Sequence, residues 1–386
     1  MNQKAPNLWT RNFIILLIVS FIGSISFSMT APIITSYSLS IGINLGLAGI
    51  VAGAVSLSAL AIRPLTGLFS DRFNEKGLII FSSIGTSLMM FGYSISNSFE
   101  VLMLFRILHG IFFSIGSTAN SSFAIDFIPE RKMSEGIGYL GMGMVISYAI
   151  APSFGIWMVN NLGYKELFLL ATLFPLISSV LLLTIPYKRR NRISSIKKFE
   201  NIIGKEIIFY GIANGFFSLT NGLCSSFLAL LGNERNIGNI GIFFSVSALI
   251  LVLIRPIAGK LSDRKGPTFV VLIAFFLTGA SMILLAYSTS ILSIIGAAVL
   301  KSLGQAGGQP ALQSICLKKM GPERRGIATS TYFLGADVGQ GVGPSIGGAV
   351  ISSCGYTGMF VGAGGLLLAA MVAFFVYQKL IEKVTF

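Results

Sequence analysis

Apolar residues run along this chain in blocks of about twenty, with neither strict alternation nor a single hydrophobic stripe. The blocks cover roughly 13–34, 45–69, 78–95, 101–124, 136–159 and 167–185, then 206–231, 240–258, 268–287, 291–317, 326–352 and 356–377. Each is long enough to cross a hydrocarbon core of about 30 Å as a helix. Without period-two alternation, a membrane barrel is excluded, and hydrocarbon leaves helices as the remaining way to satisfy the backbone. The pattern predicts an all-α polytopic membrane protein with twelve transmembrane helices. The first block exceeds the apolar core of a secretion signal, so it is read as a retained helix.

The longest polar stretch, Tyr187 to Lys205, carries Lys188, Arg189, Arg190, Arg192, Lys197, Lys198 and Lys205. It divides the chain into an N-terminal six-helix bundle (1–186), a basic linker (187–205) and a C-terminal six-helix bundle (206–386). The two bundles share a repeated sentence. Ile62 to Arg72 reads IRPLTGLFSDR and Ile254 to Arg264 reads IRPIAGKLSDR, so Arg63 and Arg255, Gly67 and Gly259, and Asp71 and Asp263 all stand 192 residues apart. A repeat at half the chain length argues for two homologous halves.

Composition agrees: 53% of residues are hydrophobic and 11% charged, against roughly 25% charged in soluble domains. A net charge of +14 could suggest nucleic acid, but its placement excludes that reading. With both termini inside, 22 of the 28 Lys and Arg residues fall in cytoplasmic segments and two, Lys165 and Arg235, fall outside. That asymmetry orients a multi-pass protein in the cell membrane with both termini cytoplasmic. Arg63 and Arg255 are assigned to cytoplasmic helix ends, while Arg106 and Lys301 lie within spans. Cys224, Cys316 and Cys354 have no ligand spacing, so neither a metal site nor a disulfide set is expected.

Two six-helix halves, a basic central loop and the doubled G-x-x-S-D-R turn together resemble the major facilitator superfamily of secondary transporters. Gly259-Lys260-Leu261-Ser262-Asp263-Arg264 follows the family's loop signature closely; the first copy has Phe69 in place of Leu and extra residues Asn74 and Glu75. The resemblance implies a conformational latch built from Gly67, Asp71, Arg72, Asp126, Gly259, Asp263 and Arg264. In it Asp71 faces the N-terminus of the eleventh span near Gly326, whose positive dipole end favours a carboxylate, and Arg72 pairs with Asp126. Gly67 and Gly259 would permit close helix approach. The plainer reading is loop charge that sets topology.

Other motifs are similar to the exporter branch of the family. Arg106 and Gly110 match its R-x-x-x-G signature, which links Arg106 to proton transfer; snorkelling to the interface is the plainer alternative. His109, the lone histidine, could titrate near neutral pH. Gly143, Pro152 and Gly155 in the fifth span and Gly343, Pro344 and Gly347 in the eleventh are similar to the glycine-proline signature of exporters. Glycine allows tight packing and proline removes one backbone bond, which suits a bending helix. The fifth-span copy departs from that pattern at Ala151 and Ile156.

Lys301 and Asp337 are the remaining deep charges, and their similar depth suggests an ion pair in a polar cavity. Asn120, Tyr148, Asn214, Asn221, Gln305, Gln309, Tyr332 and Gln340 complete the expected substrate cavity. The first span holds no carboxylate, so proton coupling would fall to Asp337, Asp126 or His109, beside the Arg106 that the exporter resemblance links to it. Nothing resembles a nucleophile–base set, an acidic metal cluster or a phosphate-binding loop, which sets aside an enzyme and ATP-driven transport. The expectation is a monomeric secondary transporter, with no cofactor beyond the proton gradient. It would export a drug or a polar or zwitterionic metabolite by proton antiport. Alternatives are proton-coupled import of a polar metabolite and a transporter-derived membrane sensor.

Overall fold

The computed structural model describes residues 8–43, 45–187 and 202–381. The basic linker positions 188–201, including six of its seven cations, lie outside the described residues, as do Lys4 and Lys383.

The described residues form twelve α-helices: α1 (Arg11–Thr30), α2 (Ile34–Ser40), α3 (Leu45–Arg72), α4 (Glu75–Ser94), α5 (Phe99–Ala124), α6 (Met133–Asn161), α7 (Tyr164–Leu183), α8 (Ile208–Glu234), α9 (Ile242–Lys265), α10 (Pro267–Ala286), α11 (Ile291–Met320) and α12 (Arg325–Val376). The count of twelve spans holds, but the elements divide differently. The first span is α1 plus the short α2, separated by a turn at Ala31–Ile33 where Pro32 lacks the N–H that would continue the ladder. The eleventh and twelfth spans meet end to end in α12, broken at Gly355 by φ 68° and ψ −179°, a conformation only glycine adopts freely. Most helices also extend a few residues past the apolar blocks, because polar caps lie beyond the hydrocarbon. Thr10 Oγ1, Asn74 Oδ1 and Ser98 Oγ accept from Phe13, Gly77 and Val101 N–H and start α1, α4 and α5. Gly266 at φ 92° with Pro267 at N1 turns α9 directly into α10.

The chain packs as two compact units. Unit 1 is Met1–Pro129, Leu140–Gly204 and Gly321–Ser330; unit 2 is Glu130–Tyr139, Lys205–Met320 and Thr331–Phe386. They follow the two sequence halves except for two exchanged stretches. The start of α6 packs in unit 2, and the start of α12 packs in unit 1. In unit 1 the core gathers Met29, Tyr37, Val51, Met90, Tyr93, Leu102 and Phe168. Tyr37 there donates to the carbonyls of Tyr93 and Ser96 at 2.9 and 2.6 Å. In unit 2 Phe217 stacks on Phe275, and Phe209 on Tyr377. Large apolar side chains such as Leu57, Leu104, Val180, Leu253 and Leu292 point outward and exposed, as a lipid-facing surface requires.

Candidate functional site

The repeated turn ends two helices with a carboxylate, and each carboxylate receives a helix N-terminus. In unit 1 Asp71 accepts Gly326 N–H at 2.6 Å and Ile327 N–H at 2.9 Å. In unit 2 Asp263 accepts Ser134 N–H and Glu135 N–H, both at 3.0 Å. Each therefore satisfies two of the orphan donors that open a helix, with the dipole adding to the charge. Glycine makes the approach fit. A Cβ on Gly67 would collide with Ser330, and one on Gly259 would lie 2.5 Å from Glu135 Cα. Side chains close around the two contacts: Ser262 Oγ donates to Ser134 Oγ at 3.0 Å, and Lys260 stands 3.6 Å from Glu135. Arg325 Nη1 donates to Asp126 Oδ1 at 2.7 Å, so Asp126 has a partner besides the Arg72 named from the sequence. Arg72 and Arg264 are exposed at their helix ends.

Unit 2 also holds a polar seam between α8 and α11. Lys301, Gln305 and Gln309 recur every four residues along one face of α11, and Asn214 and Asn221 lie seven apart on α8. Lys301 Nζ donates to Asn221 Oδ1 at 2.6 Å and to Gln305 Oε1 at 3.2 Å. Gln305 Nε2 donates to Asn221 Oδ1 at 2.8 Å. Two turns further, Gln309 Nε2 donates to Asn214 Oδ1 at 3.4 Å, Asn214 Nδ2 to the Tyr332 carbonyl at 3.1 Å, and the Tyr332 hydroxyl to the Gln309 carbonyl at 3.0 Å. The expected Lys301–Asp337 pair does not form. Lys301 is buried and turned to α8, whereas Asp337 is partly exposed on α12. Depth along the membrane, which hydropathy sets for both, says nothing about which way each helix is rotated. Gln340 is exposed on α12.

In unit 1 the polar positions of α5 form a second stripe. Arg106 is 2% exposed and does not snorkel. Its Nε donates to the Val51 carbonyl at 2.9 Å and its Nη2 to the Ala52 carbonyl at 2.6 Å, with the Tyr93 ring 5.9 Å from the guanidinium. A charged side chain at this depth costs about 2.5–3.5 kcal/mol on insertion scales, and two carbonyl acceptors offset part of it. His109 is buried with Nδ1 2.8 Å from the Tyr93 hydroxyl. Asn120 Nδ2 donates to Ser20 Oγ at 2.8 Å, and Tyr148 on α6 is 44% exposed.

The glycine-proline signatures lie at helix contacts. Gly143 and Gly155 bring α6 onto α1, where added Cβ atoms would stand 3.1 Å from Phe21 Cα and 2.6 Å from the Met29 carbonyl. Gly335, Gly339, Gly343 and Gly347 give α12 a smooth ridge against α8, facing Gly211, Gly215, Leu219 and Leu223 in turn. Pro152 and Pro344 sit inside continuous helices. Having no N–H, they leave the Tyr148 and Gln340 carbonyls without the usual donor four residues on.

Several side chains of the site went unnoticed in the sequence. Arg63 and Arg255, assigned to helix ends, are nine and ten residues inside α3 and α9, about 13–15 Å at 1.5 Å per residue. Hydropathy blocks that stop short of the true helix ends caused the error. Arg63 is 2% exposed and donates to Ser117 Oγ at 2.8 Å. Both belong to the repeated sentence, which was the signal available. Tyr93, Ser134, Glu135 and Arg325 carried no such mark.

Comparison with known proteins agrees with this architecture. The family model described as Major Facilitator Superfamily matches residues 16–238 and 210–384. The chain belongs to that family: it is a multi-pass membrane transporter and not an enzyme. It is 24% identical over 388 residues to the multidrug resistance protein MdtG of Klebsiella pneumoniae, covering 95% of this chain and 93% of that protein. It is 26% identical over 405 residues to a multi-drug resistance efflux pump PmrA homolog of Lactococcus lactis, covering 99% of each. Among solved structures, the human organic anion transporter MFSD10 superposes with a TM-score of 0.82 at 16% identity, over 96% of this chain and 100% of that one. The Escherichia coli fucose:proton symporter FucP gives 0.79 at 14% identity, over 95% and 98%.

Proposed function

We propose that this transporter exports a small organic molecule across the cell membrane by alternating access, in exchange for protons, as a monomer with both termini cytoplasmic. The observation that carries the alternating-access part is the doubled carboxylate contact. Asp71 holds a helix that begins in the second sequence half, and Asp263 holds one that begins in the first. Two equivalent, charge-assisted and releasable contacts suit a molecule that must leave one conformation as readily as it enters another. The export direction rests on the multidrug resistance relatives and on the glycine-proline ridges of α6 and α12. Asp337 is the acid placed to carry a proton. Arg106 and the His109–Tyr93 pair are the groups whose bonding would respond to that proton. The seam of Lys301, Asn221, Gln305, Gln309, Asn214 and Tyr332 is the substrate-facing surface of unit 2.

The test uses purified protein in liposomes that enclose a fluorescent pH probe, with drugs and polar metabolites added outside. An imposed inward substrate gradient should drive protons outward. Protons moving with the substrate would replace antiport by symport, and no proton movement with demonstrable substrate flux would remove proton coupling.

A further inference from the structure

The charges deep along the membrane-spanning helices are unbalanced. Among the described residues, four cations lie seven or more residues from a helix end, Arg63, Arg106, Arg255 and Lys301, against one acid, Asp337. Two of the four stand in unit 2, and neither meets a carboxylate. Lys301 is 5% exposed, and its ammonium has three N–H donors. Two go to neutral amide oxygens, Asn221 Oδ1 and Gln305 Oε1, and the Phe243 ring lies 5.9 Å away. Among the described residues no ion pair joins it, and two acceptors serve its three donors. Arg255 is half-buried. Its Nε is buried without a hydrogen-bond partner, and the neighbouring titratable group on it is the hydroxyl of Tyr332. Its backbone faces the start of α6, where a Cβ on Gly138 would stand 3.3 Å from the Arg255 carbonyl. The helix face it shares with Gly259 and Asp263 is therefore turned to protein.

A buried lysine held by neutral amides and a half-buried arginine whose Nε lacks a partner leave positive charge in unit 2 for something outside the chain to balance. Buried charges are otherwise paired. The amides around Lys301 orient the ammonium without neutralising it, and the aromatic rings of Phe217 and Phe243 border the same seam. We propose that unit 2 binds the anionic group of the transported molecule, Lys301 forming the ion pair and Arg255 providing the second positive charge, so that the substrate is a small organic anion typified by a carboxylate with an apolar body. This assignment rests on the transport reading above and narrows it from drugs and zwitterions to anions.

The experiment uses three compounds with one naphthyl body: 2-naphthoate, 2-naphthamide and 2-naphthylmethylamine. Efflux of each from proteoliposomes and its effect on the melting of the purified full-length chain are measured for the wild type, Lys301→Gln, Lys301→Arg and Arg255→Gln. The carboxylate should be carried and should stabilise the protein, with the amide and amine weaker. Lys301→Gln should weaken naphthoate binding by roughly 30-fold or more while amide binding stays put. Lys301→Arg should keep the preference, which separates lost charge from lost folding, and Arg255→Gln should weaken the carboxylate selectively. Equal handling of all three compounds by the wild type, a carboxylate preference that survives Lys301→Gln, or no response to any of the three would overturn the anion assignment. If neutral or cationic drugs drive proton flux while naphthoate does not, the export reading stands and this one falls. Lysine-dependent naphthoate binding without flux would uphold the anion site and count against transport.

Discussion

Replacing Asp71 by Asn changes almost no volume, but it removes a charge and turns one acceptor into a donor. In the wild type the two carboxylate oxygens each take one N–H, Gly326 at 2.6 Å and Ile327 at 2.9 Å. Asparagine can serve one of them; its amide then presents N–H to N–H at the other. A hydrogen bond to a charged group contributes about 1.5–3 kcal/mol, and a charge at a partly buried helix terminus up to about 2 kcal/mol. Both figures describe the same N–H groups, so they overlap, and the combined loss is taken as roughly 2–3 kcal/mol. That shifts the equilibrium away from the bonded conformation by roughly 30- to 150-fold. Spin labels at Phe73 and Glu323, in a background with Cys224, Cys316 and Cys354 replaced by Ala, report the separation of the α3 and α12 ends. The wild type should give one short distance. Asp71→Asn should add a longer population, with transport slowed and substrate affinity retained. An unchanged distance distribution would refute the argument that this carboxylate holds the conformation, and a pure loss of affinity would assign Asp71 to the substrate instead.

The repeat predicts a second, similar shift for Asp263→Asn, read with labels flanking Ser134 and Asp263; a silent variant would make the two copies unequal. Arg235→Ala should lower the melting temperature without changing substrate selectivity. Its guanidinium donates to the carbonyls of Leu285, Ala286 and Ser288 and to Thr357 Oγ1, closing the end of α10 with bonds of about 1.5–3 kcal/mol each at most. Gly339→Val should fail to give monodisperse protein, because its Cβ would run into the Gly215 carbonyl, and a well-folded, active variant would contradict the close α8–α12 packing. If the carried molecule is a monoanion exchanged for one proton, two positive charges move inward per cycle, so outward flux should rise with an inside-negative potential, by up to about 4.6 kcal/mol per 100 mV, whereas potential-independent flux would contradict that exchange.

The apolar blocks alone determined that this chain crosses a membrane about twelve times. A backbone in hydrocarbon has one local solution, the helix, and a run of twenty apolar residues specifies it without reference to any partner. The 192-residue repeat likewise made the two carboxylate turns legible, since both copies keep glycine, aspartate and arginine in register. The resemblance named the helix start near Gly326 that Asp71 reaches. Nothing in the spacing named Ser134 and Glu135 for Asp263, although symmetry would have pointed there. The tertiary structure alone decided everything that depends on helix rotation and neighbour choice. Lys301 turns to Asn221 and Gln305 rather than Asp337, and Arg106 turns to two carbonyls of α3 rather than toward an interface. Arg63 and Arg255 lie deep in their helices rather than at the ends. Hydropathy measures how much a segment prefers lipid, which fixes its presence and rough depth. It carries no information on azimuth, and azimuth is what brings two side chains within 3 Å of each other.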